Sequence, residues 1–298
     1  MTSADTAMYQ PPPLPFTDTV PLDVAEPRGG LVAAALFGAP LDRTESFRVG
    51  AAAGPDAVRQ ISGSLETYSP SLDRDVTDLT LVDLGNLPLG GETMDADIEA
   101  IATAMEHATS VARLGVMLAG EHTATLGGYR GVLRRYPDAM LIQVDAHLDI
   151  RDQYEGVALT HASWVYHAGM AHGFDRIVQL GVRSGAREEW PVARGQTAWS
   201  SPDLFIPPGV RSRLARHPLY ITIDIDVLDP SAAPGTGCPE PGGVTFRELA
   251  TWLYGMAGLR VVGFDVVEVA PHLDPSGITA VAAAKLVREA MLLFGTEE

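Results

Sequence analysis

Along this chain, short apolar runs alternate with stretches of helical periodicity. The runs fall at Leu31–Phe37, Leu79–Leu84, Gly115–Leu118, Met140–Val144, Arg176–Val182, Leu219–Ile225 and Arg260–Val269. Each has strand length, and several are apolar at successive positions, as parallel strands buried on both faces are. Between them, Ile98, Ile101, Met105, Ala108 and Ala112 recur at three and four, which marks one apolar stripe of a helix. Thr245, with Glu248 three residues on, reads as a capping box opening a helix through Met256. Gly277 leads into an Ala-rich helical stretch, Ile278–Phe294. Strand and helix alternate without a composition break or internal repeat. The pattern predicts one α/β domain over residues 30–298, with a mostly parallel sheet and helices on both faces. Residues 1–29, which include Gln10-Pro11-Pro12-Pro13-Leu14-Pro15, are expected to form an extended, solvated Pro-rich arm.

Composition narrows the chemistry. A chain of 298 residues buries enough surface to need neither disulfide nor metal for its core. Its one cysteine, Cys238, can form no internal disulfide and no thiolate zinc cage, which points to a reducing compartment. Against 38 Asp and Glu stand 21 Lys and Arg, a net charge of −17. That balance excludes nucleic acid and anionic membrane as expected partners and favours cationic ligands or metal ions. No window reaches the ~18 apolar residues of a membrane span. Met1–Glu26 has no Lys or Arg and no continuous apolar run, so no signal peptide is expected and a cytoplasmic location is.

The candidate chemistry lies at strand ends. After Met140–Val144 come Asp145, His147 and Asp149, at i, i+2 and i+4, which share one face where the chain stays extended. Open α/β sheets bind ligands at that carboxyl end. Two carboxylates and an imidazole converging there need a compensating cation or a hydrogen-bonded structural cluster, and this motif alone fits either. The run Leu219–Ile225 supplies a second pair, Asp224 and Asp226, with Pro230 breaking the ladder behind them. The third run, Gly115–Leu118, leads into Gly120-Glu121-His122-Thr123. His122, Asp145, His147, Asp149, Asp224 and Asp226 together are hard-to-borderline ligands. They suit Mn²⁺ above Mg²⁺, Co²⁺, Fe²⁺ or Zn²⁺, and two ions rather than one.

These three motifs, in this order and spacing, resemble the ureohydrolase family (arginase, agmatinase and relatives), and within it the agmatinase branch most. The resemblance runs from about Gly30 to the end of the chain. It takes in Phe47-Arg48-Val49-Gly50, Gly54-Pro55-Asp56-Ala57-Val58-Arg59, Leu65-Glu66-Thr67-Tyr68-Ser69-Pro70 and Asp73-Arg74-Asp75. Further on it takes in Val182-Arg183-Ser184-Gly185 with Arg187-Glu188-Glu189-Trp190, Pro234-Gly235-Thr236-Gly237, Glu240-Pro241-Gly242-Gly243, and Asp265-Val266-Val267-Glu268-Val269-Ala270-Pro271. It implies a three-layer α/β sandwich around an eight-stranded parallel sheet, assembled as a trimer or hexamer. It also implies a binuclear manganese centre, two Mn²⁺ per chain. In that centre Asp145 and Asp224 bridge, His122 and Asp149 complete one site, and His147 and Asp226 the other. Glu268 would receive a small cationic guanidino substrate, Asp149 would orient the nucleophile and carry its proton, and His161 would relay a proton to the leaving amine. The implied products are urea and an amine, from agmatine putrescine.

Two departures stand out. The family's Gly-Gly-Asp-His-Ser is here Ala119-Gly120-Glu121-His122-Thr123, with a longer acid beside the ligand histidine that is expected to tune the metal from behind. Cys238 stands where Thr or Ser is common and reads as a small packing residue. Rival readings are a relative acting on arginine, a guanidino acid or formiminoglutamate, and a non-catalytic paralogue that keeps its metals to bind a ligand or partner. Only Glu121 favours the latter. The loop Ile150–Leu159 has neither Asn nor Ser to receive an α-amino acid. It offers Asp152 and Glu155 to an amine, and Arg151 as a contrary cation. Zinc nucleoside deamination is excluded because Cys238-Pro239 has no second cysteine.

Overall fold

The computed structural model describes residues 8–25 and 30–296. In chain order, β1 (Thr19–Val20) and β2 (Val32–Ala39) lead to α1 (Gly54–Ser62), a two-residue hairpin β3 (Tyr68–Ser69) and β4 (Arg74–Asp75), and β5 (Leu81–Asn86). Then come α2 (Met94–Val111), β6 (Ala112–Ala119), α3 (Ala124–Arg135), β7 (Met140–Val144), α4 (Trp164–His172) and β8 (Ile177–Leu180). The last third holds α5 (Glu189–Gly195), β9 (Trp199–Ser201), α6 (Pro208–Leu214), β10 (Leu219–Asp224), α7 (Phe246–Tyr254), β11 (Val261–Val267) and α8 (Ile278–Phe294).

All seven apolar runs are strands. They join β1 and β9 in a nine-stranded sheet of order β1-β5-β2-β6-β11-β10-β7-β8-β9. Every pairing in it is parallel, where a mostly parallel sheet of about eight strands was expected. The additional edge strand is β1, only two residues long. The sheet separates two apolar layers. Leu114, Val116 and Leu118 of β6 pack with Val58, Leu249, Leu253 and Leu286, on the side of α1, α7 and α8. Met117 and Ala119 of the same strand pack with Ile101, Leu126 and Trp164, on the side of α2, α3 and α4. This alternation is the period of two that makes a strand two-faced. Helix α7 carries the full capping box between Thr245 and Glu248. Ala112, expected at the end of the helical stripe, instead starts β6, since α2 stops at Val111.

The arm departs from expectation. Residues 1–7 and 26–29 lie outside the described ones, but what is described packs against the sheet edge. Gln10 and Asn86 exchange backbone hydrogen bonds of 2.7 and 2.8 Å. Phe16 is buried, and its N–H donates to Asp83 Oδ2 at 2.9 Å. Proline fixes the backbone but does not prevent Phe16 from finding a pocket, and burying such a ring stabilises by roughly 1.5–3 kcal/mol. Among the described residues, no helix is long and apolar enough to cross a membrane.

Candidate metal centre and active site

Four neighbours in the sheet, β6, β11, β10 and β7, deliver the candidate residues at their carboxyl ends. His122 follows β6 through Gly120, where a Cβ would lie 1.9 Å from the carbonyl oxygen of Leu41, so only glycine permits the approach. Asp145, His147 and Asp149 follow β7, Asp224 ends β10 with Asp226 just beyond it, and Glu268 follows β11. Asp149 (φ 54°) and Glu268 (φ 64°) both adopt the left-handed conformation that non-glycine residues avoid, a strain found where surrounding structure over-determines a functional geometry.

The structure brings all six sequence-predicted ligands together. His122 Nδ1 lies 3.0 Å from Asp145 Oδ2, 3.2 Å from Asp224 Oδ2 and 3.5 Å from Asp149 Oδ2. His147 Nδ1 lies 2.9 Å from Asp226 Oδ2 and 3.6 Å from Asp145 Oδ1. Two groups suited to a metal ion emerge, His122–Asp145–Asp149 and Asp145–His147–Asp226, and they share Asp145. His122 Nδ1 is buried without a hydrogen bond although three carboxylates surround it. That is the environment of a ring nitrogen awaiting a cation, so the residues fit a divalent metal.

The charges tell the same story. Burial, then Asp145, pushes Asp149 well above the usual carboxylate range. Burial, then Asp226 and Asp145, does the same to Asp224. Burial alone would lower His122, yet Asp145 and Asp224 hold it well above its ordinary value. Burial would likewise raise Asp145, but His122 and His147 hold it low. Without a cation the cluster has to recruit protons to offset its own repulsion.

Partners that sequence reasoning missed hold the cluster in place. Gln143 Nε2 donates to Asp145 Oδ2 at 2.6 Å, and Trp164 Nε1 to Asp149 Oδ2 at 2.9 Å. The Trp164 ring lies 4.6 Å from that of His122. On the far side His122 Nε2 meets Thr222 Oγ1 at 3.0 Å, so the ring is oriented from both edges. Backbone N–H groups of His147 and Asp226 donate to Asp145 and Asp224 at 2.6 and 2.8 Å. The period of two that placed these carboxylates on one face also marks the inward Gln143 and Thr222 of β7 and β10.

A cavity of about 190 Å³ opens over the cluster, lined also by Glu268, His161, Ser46, Cys238, Arg151, Tyr154 and Glu189. The His122 N–H donates to Glu268 Oε1 at 2.7 Å. Burial, then Glu45 and Asp224, holds the Glu268 carboxyl well above its ordinary value. Glu45, another residue missed in the sequence, has both carboxylate oxygens buried with no donor in reach. Burial raises its carboxyl to about 7. Burial lowers His161.

Two expectations change, those for Asp152 with Glu155 and for Glu121. Asp152 and Glu155 are exposed and do not line the cavity; they sit on the outer surface of their loop. Arg151 does line it, with Nε 3.2 Å from Glu189 Oε2 and its guanidinium 4.8 Å from the Tyr154 ring centre. Cys238 is half-buried in the cavity wall, and its thiol is pushed up to about 11, chiefly by burial. Glu121 is fully buried but faces the β2–α1 loop, where it accepts from the N–H and hydroxyl of Thr44 at 2.6 and 2.8 Å, instead of backing the metal ligands. His107 has its Nδ1 3.2 Å from the Tyr9 hydroxyl.

A parallel sheet between two helix layers, with two carboxylate–imidazole groups sharing one aspartate at its carboxyl edge, defines an α/β protein with a candidate two-metal centre. The chain belongs to the arginase family, which it matches over residues 32–293. It is 38% identical to the agmatinase of Bacillus cereus, over 86% of this chain and 90% of that protein. It is 33% identical to the human mitochondrial guanidino acid hydrolase, over 86% of this chain and 76% of that protein. The crystal structure of the agmatine ureohydrolase of Thermoplasma volcanium superposes with a TM-score of 0.77 at 31% identity, covering 90% and 92% of the two chains.

Proposed function

We propose that this chain is a metal-dependent amidinohydrolase that cleaves agmatine to putrescine and urea at a binuclear manganese centre. The two His/Asp groups sharing Asp145 are the observation that carries it. His122, Asp145 and Asp149 would hold one ion, Asp145, His147 and Asp226 the other, with Asp224 as a second bridge. When bound, the ions supply a water of lowered pKa near neutral pH.

The side chains do the rest. Glu268 offers its carboxylate to the forked donors of the guanidinium and holds the planar carbon over the cluster. Asp149, held by Trp164, orients the nucleophile and takes its proton toward the leaving nitrogen. His161 supplies a further proton to the departing amine. The acidic wall, which includes Glu189, suits the second cation of agmatine. Arg151, the one arginine in that wall, is already paired with Glu189.

A second reading, a guanidino acid as substrate, is favoured by Arg151 alone, since a carboxylate could displace Glu189 from it. Urea release by manganese-supplemented protein across agmatine, arginine and guanidino acids tests both. Two bound ions with no urea from any of them would leave the non-catalytic paralogue standing. A homo-oligomer, trimer or hexamer, in the cytoplasm belongs to the same reading, and light scattering on the purified protein checks its assembly.

A further inference from the structure

The loop between β2 and α1 hangs on a single buried carboxylate. Glu121 Oε2 accepts from the backbone N–H groups of Arg43 and Thr44, and Oε1 accepts from the Thr44 hydroxyl at 2.8 Å. Both oxygens are thus acceptors, so the one hydroxyl hydrogen of Thr44 is committed to Glu121. The Thr44 oxygen also meets His161 twice, accepting from its backbone N–H at 3.0 Å and lying 3.3 Å from its Nδ1. One of its two lone pairs takes that backbone N–H and the other is left for Nδ1, because the Thr123 hydroxyl, at 3.4 Å, is the more distant donor and is free to rotate away. With its hydrogen spent, Thr44 can only accept from the ring. Nδ1 therefore has to carry the proton. The lone pair of neutral His161 is left on Nε2, which faces the Ser46 hydroxyl at 3.3 Å on the cavity side.

We propose that Glu121 is a positioning residue that acts through Thr44 to hold His161 in its Nδ1–H tautomer, so that Nε2 is the nitrogen that takes up a proton from solvent and passes it to the leaving amine. The last clause rests on the reading of His161 as proton carrier; the tautomer does not. A free imidazole in water favours the opposite tautomer, so the constraint is measurable. The longer acid at position 121 gains a purpose by this route: its extra methylene lets the carboxylate reach the loop.

The test is ¹⁵N NMR of the full-length protein with labelled histidines, loaded with diamagnetic Mg²⁺, because protonated and bare ring nitrogens resonate far apart. Wild type and Thr44→Ser, which keeps the hydroxyl, are expected to show His161 with Nδ1–H. Thr44→Val and Glu121→Ala are expected to shift it toward Nε2–H. In turnover by the manganese enzyme, Thr44→Val should lower kcat by ~10-fold, a part of the ~10²-fold that general acid–base work contributes, with KM little changed. The same substitution on His161→Ala should cost nothing further. An Nε2–H tautomer in wild type, an unmoved tautomer in Thr44→Val, or additive losses would overturn the proposal. If Glu121→Ala does not fold, the wild-type and Thr44→Val spectra still decide. If no urea is released while the spectra hold, the functional reading fails and the tautomer constraint survives.

Discussion

Trp164 Nε1 donates to Asp149 Oδ2 at 2.9 Å, and its ring lies 4.6 Å from that of His122, so one indole braces two candidate ligands of the same ion. Asp149 is strained, with φ 54°, and needs that brace to stay pointed at the cluster. Trp164→Phe keeps an aromatic ring and removes the donor. We expect it to lower metal affinity by ~10–100-fold, the usual effect of losing an outer partner of a ligand. Calorimetric titration with Mn²⁺ checks this; an unchanged affinity would show that Asp149 is held by its backbone alone.

Asp226 accepts from the Ala146 N–H at 3.2 Å and sits 2.9 Å from His147 Nδ1. An amide in its place offers a neutral and weaker ligand. Asp226→Asn should therefore lose bound metal and urea release together. Chelation of the wild type should abolish turnover, and Mn²⁺, at about two ions per chain, should restore it. Metal analysis alongside the urea assay checks both, and full activity of a metal-free preparation would falsify the binuclear reading.

The clustering of the candidate ligands was legible in the sequence because they lie in short strings at strand ends. There the period of two converts spacing into a shared face. Their braces were not. Trp164 heads a helix 15 residues after Asp149, and Thr44 lies 117 residues before His161, so only the folded chain pairs them. The arm misled because prolines announce an extended backbone and say nothing about where Phe16 goes. Asp152 and Glu155 misled because an irregular loop has no periodicity to say which side chains turn inward. Strand β9 escaped because Trp199–Ser201 is too short to show a pattern.

Glu45 titrates in the wrong range for a surface acid. Burial raises its carboxyl from 4.5 to about 7, so between those values the native state holds a proton that the unfolded chain has released. Its contribution to stability is present below pH 4.5 and is lost as pH rises through about 7. Glu45→Gln keeps a neutral side chain at every pH. Urea unfolding should find variant and wild type similar near the acid end of that window. Above it, the variant should be more stable by up to about 3 kcal/mol, the equivalent of a shift from 4.5 to about 7. Equal stability at both ends would mean that Glu45 is ionised throughout.

His161 should separate chemistry from metal binding. It is not among the candidate ligands, so His161→Ala is expected to keep both ions while turnover falls by ~10²-fold. Burial lowers its ring below the ordinary value of 6.5, so its neutral form persists to more acidic pH than in a free histidine. A donor must be protonated to act, so the limb of the wild-type pH–rate profile that belongs to it is the one in which turnover falls as pH rises through a value below 6.5, and it should vanish in the variant. Loss of metal instead would make His161 a ligand.

If Glu268 receives the guanidinium as proposed, every guanidino compound would present the same head to it, and substrate choice would fall to the other lining residues. Beyond that head agmatine carries a second cation and arginine adds a carboxylate. The chain's net charge of −17 attracts the doubly cationic substrate from a distance, though salt screens that preference. Close to the site, Glu189 already accepts from the backbone N–H groups of Ile150 and Ala186 and from Arg151 Nε, at 2.9, 2.5 and 3.2 Å. Arg151 is thereby neutralised, and a carboxylate arriving there would have to break that pair before making its own. We expect agmatine to exceed arginine by at least ~10-fold in kcat/KM, which asks only ~1.4 kcal/mol of differential transition-state binding. Arg151→Gln sharpens the test. It frees Glu189 for an amine and should spare agmatine turnover, whereas a guanidino acid substrate would lose its only arginine partner in the cavity wall. Competition between the substrates at fixed ionic strength, in wild type and variant, decides between them. If the guanidino acid wins in wild type and collapses in Arg151→Gln, the substrate is the acid, and the family assignment stands untouched.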